Sequence, residues 1–162
     1  MLSPNDVLVH SLSGSQGLLN KLCEDLKPAE YLHRPCAEAN CAAWVLGHLI
    51  LTERSALGRV GVADLPPLPE GFEKRFGRDA DATKATEFGD VTVLLPLFNK
   101  QRQLLIEKVK GMSADELTKP VEPPHPMFSH VWSLVNLMGL HVMLHNGQIS
   151  SIRRSLGRPP VI

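Results

Sequence analysis

Apolar residues recur at helical spacing in four separate stretches of the chain, and no stretch alternates apolar and polar positions in the manner of a half-buried strand. The pattern therefore predicts an all-α protein, most simply a four-helix bundle. The predicted helices run over Pro4–Asp25, Asn40–Val60, Thr92–Lys110 and His130–Arg154.

The first two helices have recognisable starts. Ser3 is a suitable N-cap and Pro4 lies just inside the first turn, while Asn40 is the expected N-cap of the second helix. On the second helix, one face collects residues expected to lie towards the interior, and three charged residues are expected to reach water. The inward face consists of Trp44, Gly47, His48, Leu51 and Ser55, and the charged set is Glu53, Arg54 and Arg59.

The connections between the helices carry a prediction about topology. Residues 62–89 are rich in proline, glycine and charge and read as one long connection. A connection of that length can return along a helix of about 30 Å, so helices two and three can lie parallel. Ser113 and Glu116 form a capping-box pattern for a short helical turn, and the sequence KPVEPPHP reads as a proline-rich bridge to the last helix.

Composition limits the class of protein and its partners. The 162 residues are expected to form one domain over residues 1–162, with 17 basic and 17 acidic side chains. Zero net charge argues against nucleic-acid binding, which needs an excess of Lys and Arg. We expect no signal peptide and no membrane span. The odd set Cys23, Cys36 and Cys41 indicates a reducing compartment, so the cytoplasm is the expected location.

Histidines supply the candidate chemistry. His141 and His145 are four residues apart, which places both imidazoles on one face of the last helix. An HxxxH pair alone is more often part of a hydrogen-bonded core, but His48 lies mid-helix on an apolar face and is the best third ligand. Three imidazoles can bind zinc, nickel, copper or iron and leave coordination positions open. Gln148 follows on the same face and is a weaker candidate to bind substrate or to orient a ligand.

These residues occur in motifs that resemble a known family. The segments WVLGHL around His48 and HVMLHNGQISSIRRSLGRPP near the C-terminus are similar to those of the DinB/YfiT-like superfamily. The resemblance covers essentially the whole chain. It implies a four-helix bundle with up-down-down-up topology and a divalent-metal site formed by His48, His141 and His145.

The same resemblance implies two classes of function. The first is a metal-dependent enzyme, either a hydrolase or a transferase or isomerase that uses a low-molecular-weight thiol such as bacillithiol, mycothiol or glutathione. Zinc or nickel is the expected ion, and a small molecule is the expected substrate. The second is a non-catalytic, stress-associated binding protein. Because all three ligands are intact, the sequence favours the first class.

The last helix is more apolar than one wall of a monomeric bundle requires. Val142 and Leu144 stand where many members of the superfamily have an acidic and a polar residue, and apolar side chains between residues 131 and 144 cover nearly the full circumference. A helix that is hydrophobic all round is usually buried on all sides. We therefore expect a homodimer.

Overall fold

Four long helices pack side by side in a computed structural model, which describes residues 2–77, 80–81, 83–84 and 88–161. The α-helices are α1 (Pro4–Cys23), α2 (Ala42–Arg59), α3 (Phe72–Phe76), α4 (Leu94–Lys110), α5 (Ala114–Leu117) and α6 (Val131–Ser155). Two short strands, β1 (Pro120–His125) and β2 (Phe128–His130), precede α6, and 3₁₀ turns span Pro28–Leu32 and Val91–Val93. The all-α bundle is confirmed, and α1, α2, α4 and α6 are the four predicted helices.

Contacts between the helices establish their directions. The Asn5 side chain, at the start of α1, donates to the carbonyl of Val109 at the end of α4, so these helices are antiparallel. Asn146 donates to the carbonyl of Ser15, and Arg153 to that of Leu22, so α1 and α6 are parallel. The first turns of α2 and α4 pack in the same cluster of buried residues, and their last turns pack together in a second cluster, so these two helices are parallel. The helices therefore run up, down, down and up, as predicted.

The helix ends agree with the predicted caps at two positions and differ at a third. Ser3 with Asp6, and Ser113 with Glu116, form complete capping boxes. Asn40 is not the N-cap of α2. Cys41 occupies that position without a side-chain cap hydrogen bond, and the helix begins at Ala42.

The long connection contributes to the core near His48. Its short helix α3 buries Phe72 and Phe76, and the Phe76 ring lies directly against Gly47. A Cβ atom at Gly47 would fall 2.1 Å from Phe76 Cδ1, so only glycine admits this contact. Residues 78–79, 82 and 85–87 of the predicted connection lie outside the described residues.

The proline-rich bridge is a two-stranded antiparallel hairpin, which the sequence did not predict. The reason is local: β1 contains three prolines and shows no alternating burial, so periodicity does not mark it as a strand. Among the described helices, none is long and apolar enough to cross a membrane.

Glu53 was expected to reach water, and that prediction is wrong. Its side chain is 2% exposed and pairs with Arg102 of α4, which is fully buried. Arg102 Nη2 donates to Glu53 Oε2 at 2.9 Å, and Arg102 Nε lies 2.8 Å from Glu53 Oε1. The same guanidinium donates to the carbonyls of Leu12 and Met138. One ion pair between α2 and α4 therefore also contacts α1 and α6.

Candidate metal centre

Three histidine side chains meet between α2 and α6. His48 projects from the middle of α2, and His141 and His145 project from successive turns of α6, which runs antiparallel to α2. His141 Nε2 lies 3.2 Å from His48 Nε2 and 3.0 Å from His145 Nε2. The three predicted ligands are thus brought together, and each offers a nitrogen within 4.8 Å of the others.

The spacing of these nitrogens fits one small cation. An ion bound tetrahedrally at 2.0–2.1 Å holds neighbouring ligand nitrogens about 3.3–3.4 Å apart. The two separations from His141 Nε2, 3.2 Å and 3.0 Å, are close to this value. The cluster can therefore hold a divalent ion.

Burial keeps the three rings neutral. Burial, with smaller contributions from His145, His48 and Arg102, lowers the pKa of His141 to about 4. Burial also lowers the pKa of His48 and of His145. Neutral imidazole is the form that binds a metal, because its unprotonated nitrogen carries the lone pair.

Hydrogen-bond counting supports a cation at this point. Gln148 Oε1 accepts from His145 Nδ1–H at 2.8 Å, which leaves a lone pair on His145 Nε2. His141 Nε2 faces two imidazole nitrogens and can give a proton to only one of them. A single ion at the centre would instead accept a lone pair from each ring, so the donor set suits a metal better than a histidine network.

Two neighbouring residues contact His48, one at its ring and one at its backbone. The indole of Trp44, one turn earlier on α2, stacks on the imidazole with ring centroids 5.1 Å apart and planes within 4°. The Thr52 hydroxyl donates to the His48 carbonyl one turn later. Trp44 thus packs against the wall of the site, as expected.

The sequence was compared with models of known protein families and with curated proteins. Residues 11–149 match the sequence model of the DinB superfamily. The chain belongs to the DinB superfamily. A comparison with curated proteins found no match.

Two cysteines and two further histidines of this DinB-superfamily protein lie outside the cluster. Cys41 is fully buried, and burial raises the pKa of its thiol, so the helix terminus does not yield a reactive thiolate. Cys23 is likewise buried, and its pKa is raised to about 12. His33 bonds to Ser155 and His130 to Ser129, away from the site.

A chamber of about 280 Å³ adjoins His141 and contains two residues that the sequence did not mark as functional, Arg59 and His125. Arg59 follows His48 by eleven residues, which is three helical turns, so the two lie on the same face of α2. This spacing could have marked Arg59 as a candidate functional residue from the sequence. No comparable signal exists for His125, since the hairpin that places it was not predicted.

Gln148 is exposed but bonds to a ligand, and we predict that it positions His145. Gln148→Ala should weaken Zn²⁺ binding about tenfold, the lower end of the effect of losing an outer-shell partner. Gln148→Glu should restore binding, because a carboxylate oxygen can accept the same hydrogen bond. Chelator competition measures the affinity. Ser151→Ala, an exposed change one turn later, is the matched control, and equal affinities of Gln148→Ala and wild type would refute the role.

Proposed function

We propose that this protein binds one divalent ion, zinc or nickel, through His48, His141 and His145 and acts as a metal-dependent enzyme on a small molecule. The observation that supports this most directly is the convergence of three neutral imidazole nitrogens at one point. The chain supplies three ligands there, as catalytic zinc sites do, whereas structural zinc sites are closed by four.

A thiol-dependent transfer or isomerisation is the reaction class that we propose. An ion at this centre would supply a Lewis acid that favours the thiolate form of a small thiol, a strong nucleophile at neutral pH. Cys41, at the start of α2, is buried and the pKa of its thiol is raised, so it is poorly suited to act as a thiolate. This supports an external thiol co-substrate, such as bacillithiol, mycothiol or glutathione.

The residues around the site have separate roles in this proposal. His145 is buried, and Gln148 fixes its Nδ1 proton, so its Nε2 lone pair points inward. Trp44 covers one face of the His48 ring and limits the access of water to it. The three cysteines are all free, which supports a reducing compartment such as the cytoplasm.

A thiol-dependent assay tests the reaction class. The protein, purified without an affinity tag, would be offered each of the three thiols with electrophilic small molecules, before and after removal of metal by a chelator. We expect turnover that is lost on chelation and restored by zinc or nickel. Metal binding without thiol-dependent turnover would instead support the non-catalytic, stress-associated alternative.

We also propose that the protein is a homodimer. The expected excess of apolar surface on α6 is present, since four large side chains are 47–67% exposed: Trp132, Leu140, Met143 and Leu144. Burial of this face would remove apolar area from water at about 25 cal/mol per Å².

The dimer proposal predicts that Leu140→Lys with Leu144→Lys converts the protein to a monomer. Each lysine would place a charge in the buried face. Size-exclusion chromatography with light scattering at micromolar concentration measures the mass. Val93→Lys, at an exposed apolar residue on another element, should remain dimeric. A clean monomer for the unmodified chain would contradict the proposal.

A further inference from the structure

The chamber beside His141 has walls that are mostly apolar, with Thr52 and Ser55 among its polar lining residues. It lies between α2, α6 and the β1–β2 hairpin, and polar surface makes up the smaller part of its lining. The apolar wall consists of Ala56, Met127, Phe128, Leu134, Leu137 and Met138. Its volume of about 280 Å³ lies at the lower limit of cavities that bind small organic ligands.

One end of the chamber is lined by His141 of the three-histidine cluster, and the opposite end is cationic. Arg59, at the last turn of α2, lines the cationic end next to the exposed His125, and this end is the mouth of the chamber. Along α6, the wall extends from Leu134 to His141, seven residues and therefore about 10 Å. A ligand about 10 Å long can thus reach both ends.

Hydrogen bonds and an aromatic contact hold Arg59 in place. Its Nη1 donates to the carbonyls of Glu122 and Pro123, and its guanidinium lies 5.5 Å from the centroid of the Phe128 ring. Within the described part of the chain, no carboxylate lies within salt-bridge distance of Arg59. A preorganised guanidinium of this kind is suited to bind a carboxylate.

His125 provides a second donor at the same end. Its ring stacks on Phe128 with centroids 4.2 Å apart and planes within 7°. Its Nδ1 accepts the backbone N–H of Met127, so in the neutral ring the proton is on Nε2. Phe128 therefore anchors both an Arg and a His at the mouth of an apolar chamber.

We propose that the substrate is a small carboxylic acid with an apolar body about 10 Å long. Its carboxylate binds Arg59 and His125 at the mouth, its apolar body fills the chamber, and its far end lies beside His141. The far end is the reacting end only if the proposed function holds, whereas recognition of the carboxylate by Arg59 is independent of any metal.

Binding of octanoate tests this assignment, with 1-octanol and octylamine as probes of similar length and different charge. Calorimetry on metal-free and zinc-loaded protein should rank octanoate first and octylamine last. Arg59→Met should weaken octanoate binding about tenfold or more, the expected loss of a hydrogen bond to a charged group, and should leave 1-octanol unchanged. Arg59→Lys should retain part of the preference for octanoate.

The control is Arg54→Met, which removes the same charge from the same helix. Arg54 donates to the carbonyl of Pro66 and does not line the chamber, so octanoate binding should be unchanged. Thermal unfolding of every variant shows whether the fold is retained. Equal binding of octanoate and 1-octanol, or equal losses in the two arginine variants, would overturn the proposal. Metal content measured in parallel reports on the proposed function separately, since a protein without metal could still bind octanoate through Arg59.

Discussion

Replacement of His141 by alanine is expected to lower the affinity of the protein for Zn²⁺ by at least about 100-fold. His141 Nε2 is the nitrogen that lies close to both other ligands, and its loss leaves two imidazoles. The loss should exceed the 10–100-fold effect of removing an outer-shell partner. His48→Ala and His145→Ala should behave alike. Metal content of the untagged protein and chelator competition measure the change.

A second measurement links this prediction to stability. An ion that binds only the folded chain stabilises it by about 2.7 kcal/mol when its concentration is 100 times Kd. Chelation should therefore lower the Tm of the wild-type protein and leave that of His141→Ala nearly unchanged. His10→Ala, an exposed change on α1, serves as the control and should retain its metal. Equal metal content in the wild type and the three variants His48→Ala, His141→Ala and His145→Ala would disprove the three-histidine site.

Replacement of Arg102 by methionine is expected to destabilise the fold by about 3–5 kcal/mol. The change leaves the Glu53 carboxyl buried without a partner, and breaking a buried pair from one side has a cost of this size. It also removes the hydrogen bonds to the carbonyls of Leu12 and Met138, which reach two further helices. Urea unfolding followed by circular dichroism measures the free energy of unfolding.

Two further variants distinguish the loss of the buried ion pair from the effect of a substitution elsewhere on the same helix. Lys110→Met, on the same helix, breaks an ion pair with Glu107 in which both side chains are about half exposed, and should cost less than about 1 kcal/mol. Glu53→Met combined with Arg102→Met removes both buried charges and should recover much of the stability lost in Arg102→Met. Similar losses for Arg102→Met and Lys110→Met would show that the buried pair does not stabilise the bundle.

The pairing of Glu53 with Arg102 also shows where sequence patterns fail. A periodic pattern predicts that charged side chains face water. That prediction fails where a side chain of opposite charge on another helix forms a buried ion pair. Glu53 and Arg102 are 49 residues apart, and their meeting depends on how α2 and α4 are aligned.

The parallel arrangement of α2 and α4 could be predicted from the sequence because it depends on the length of one connection. Residues 62–89 are too long for a tight turn, and a long crossover lets α2 and α4 run parallel. The sequence did not reveal that Phe72 and Phe76 of this connection are buried, or that Phe76 packs on Gly47 beside His48. The hairpin was missed because its prolines remove both the alternation and the hydrogen-bond donors that identify a strand.

The sequence by itself determined the helical class, the parallel direction of α2 and α4 and the identity of the three clustered histidines. These follow from local periodicity, the length of one connection and the spacing of the histidines, whereas the full up-down-down-up order was implied by the resemblance to the DinB/YfiT-like superfamily. Only the tertiary structure decided that the three Nε2 atoms converge, that Gln148 bonds to His145, and that Arg59 and His125 line one chamber. The physical reason is that these arrangements depend on contacts between distant segments, and the packing of the bundle, not the local pattern, sets those distances.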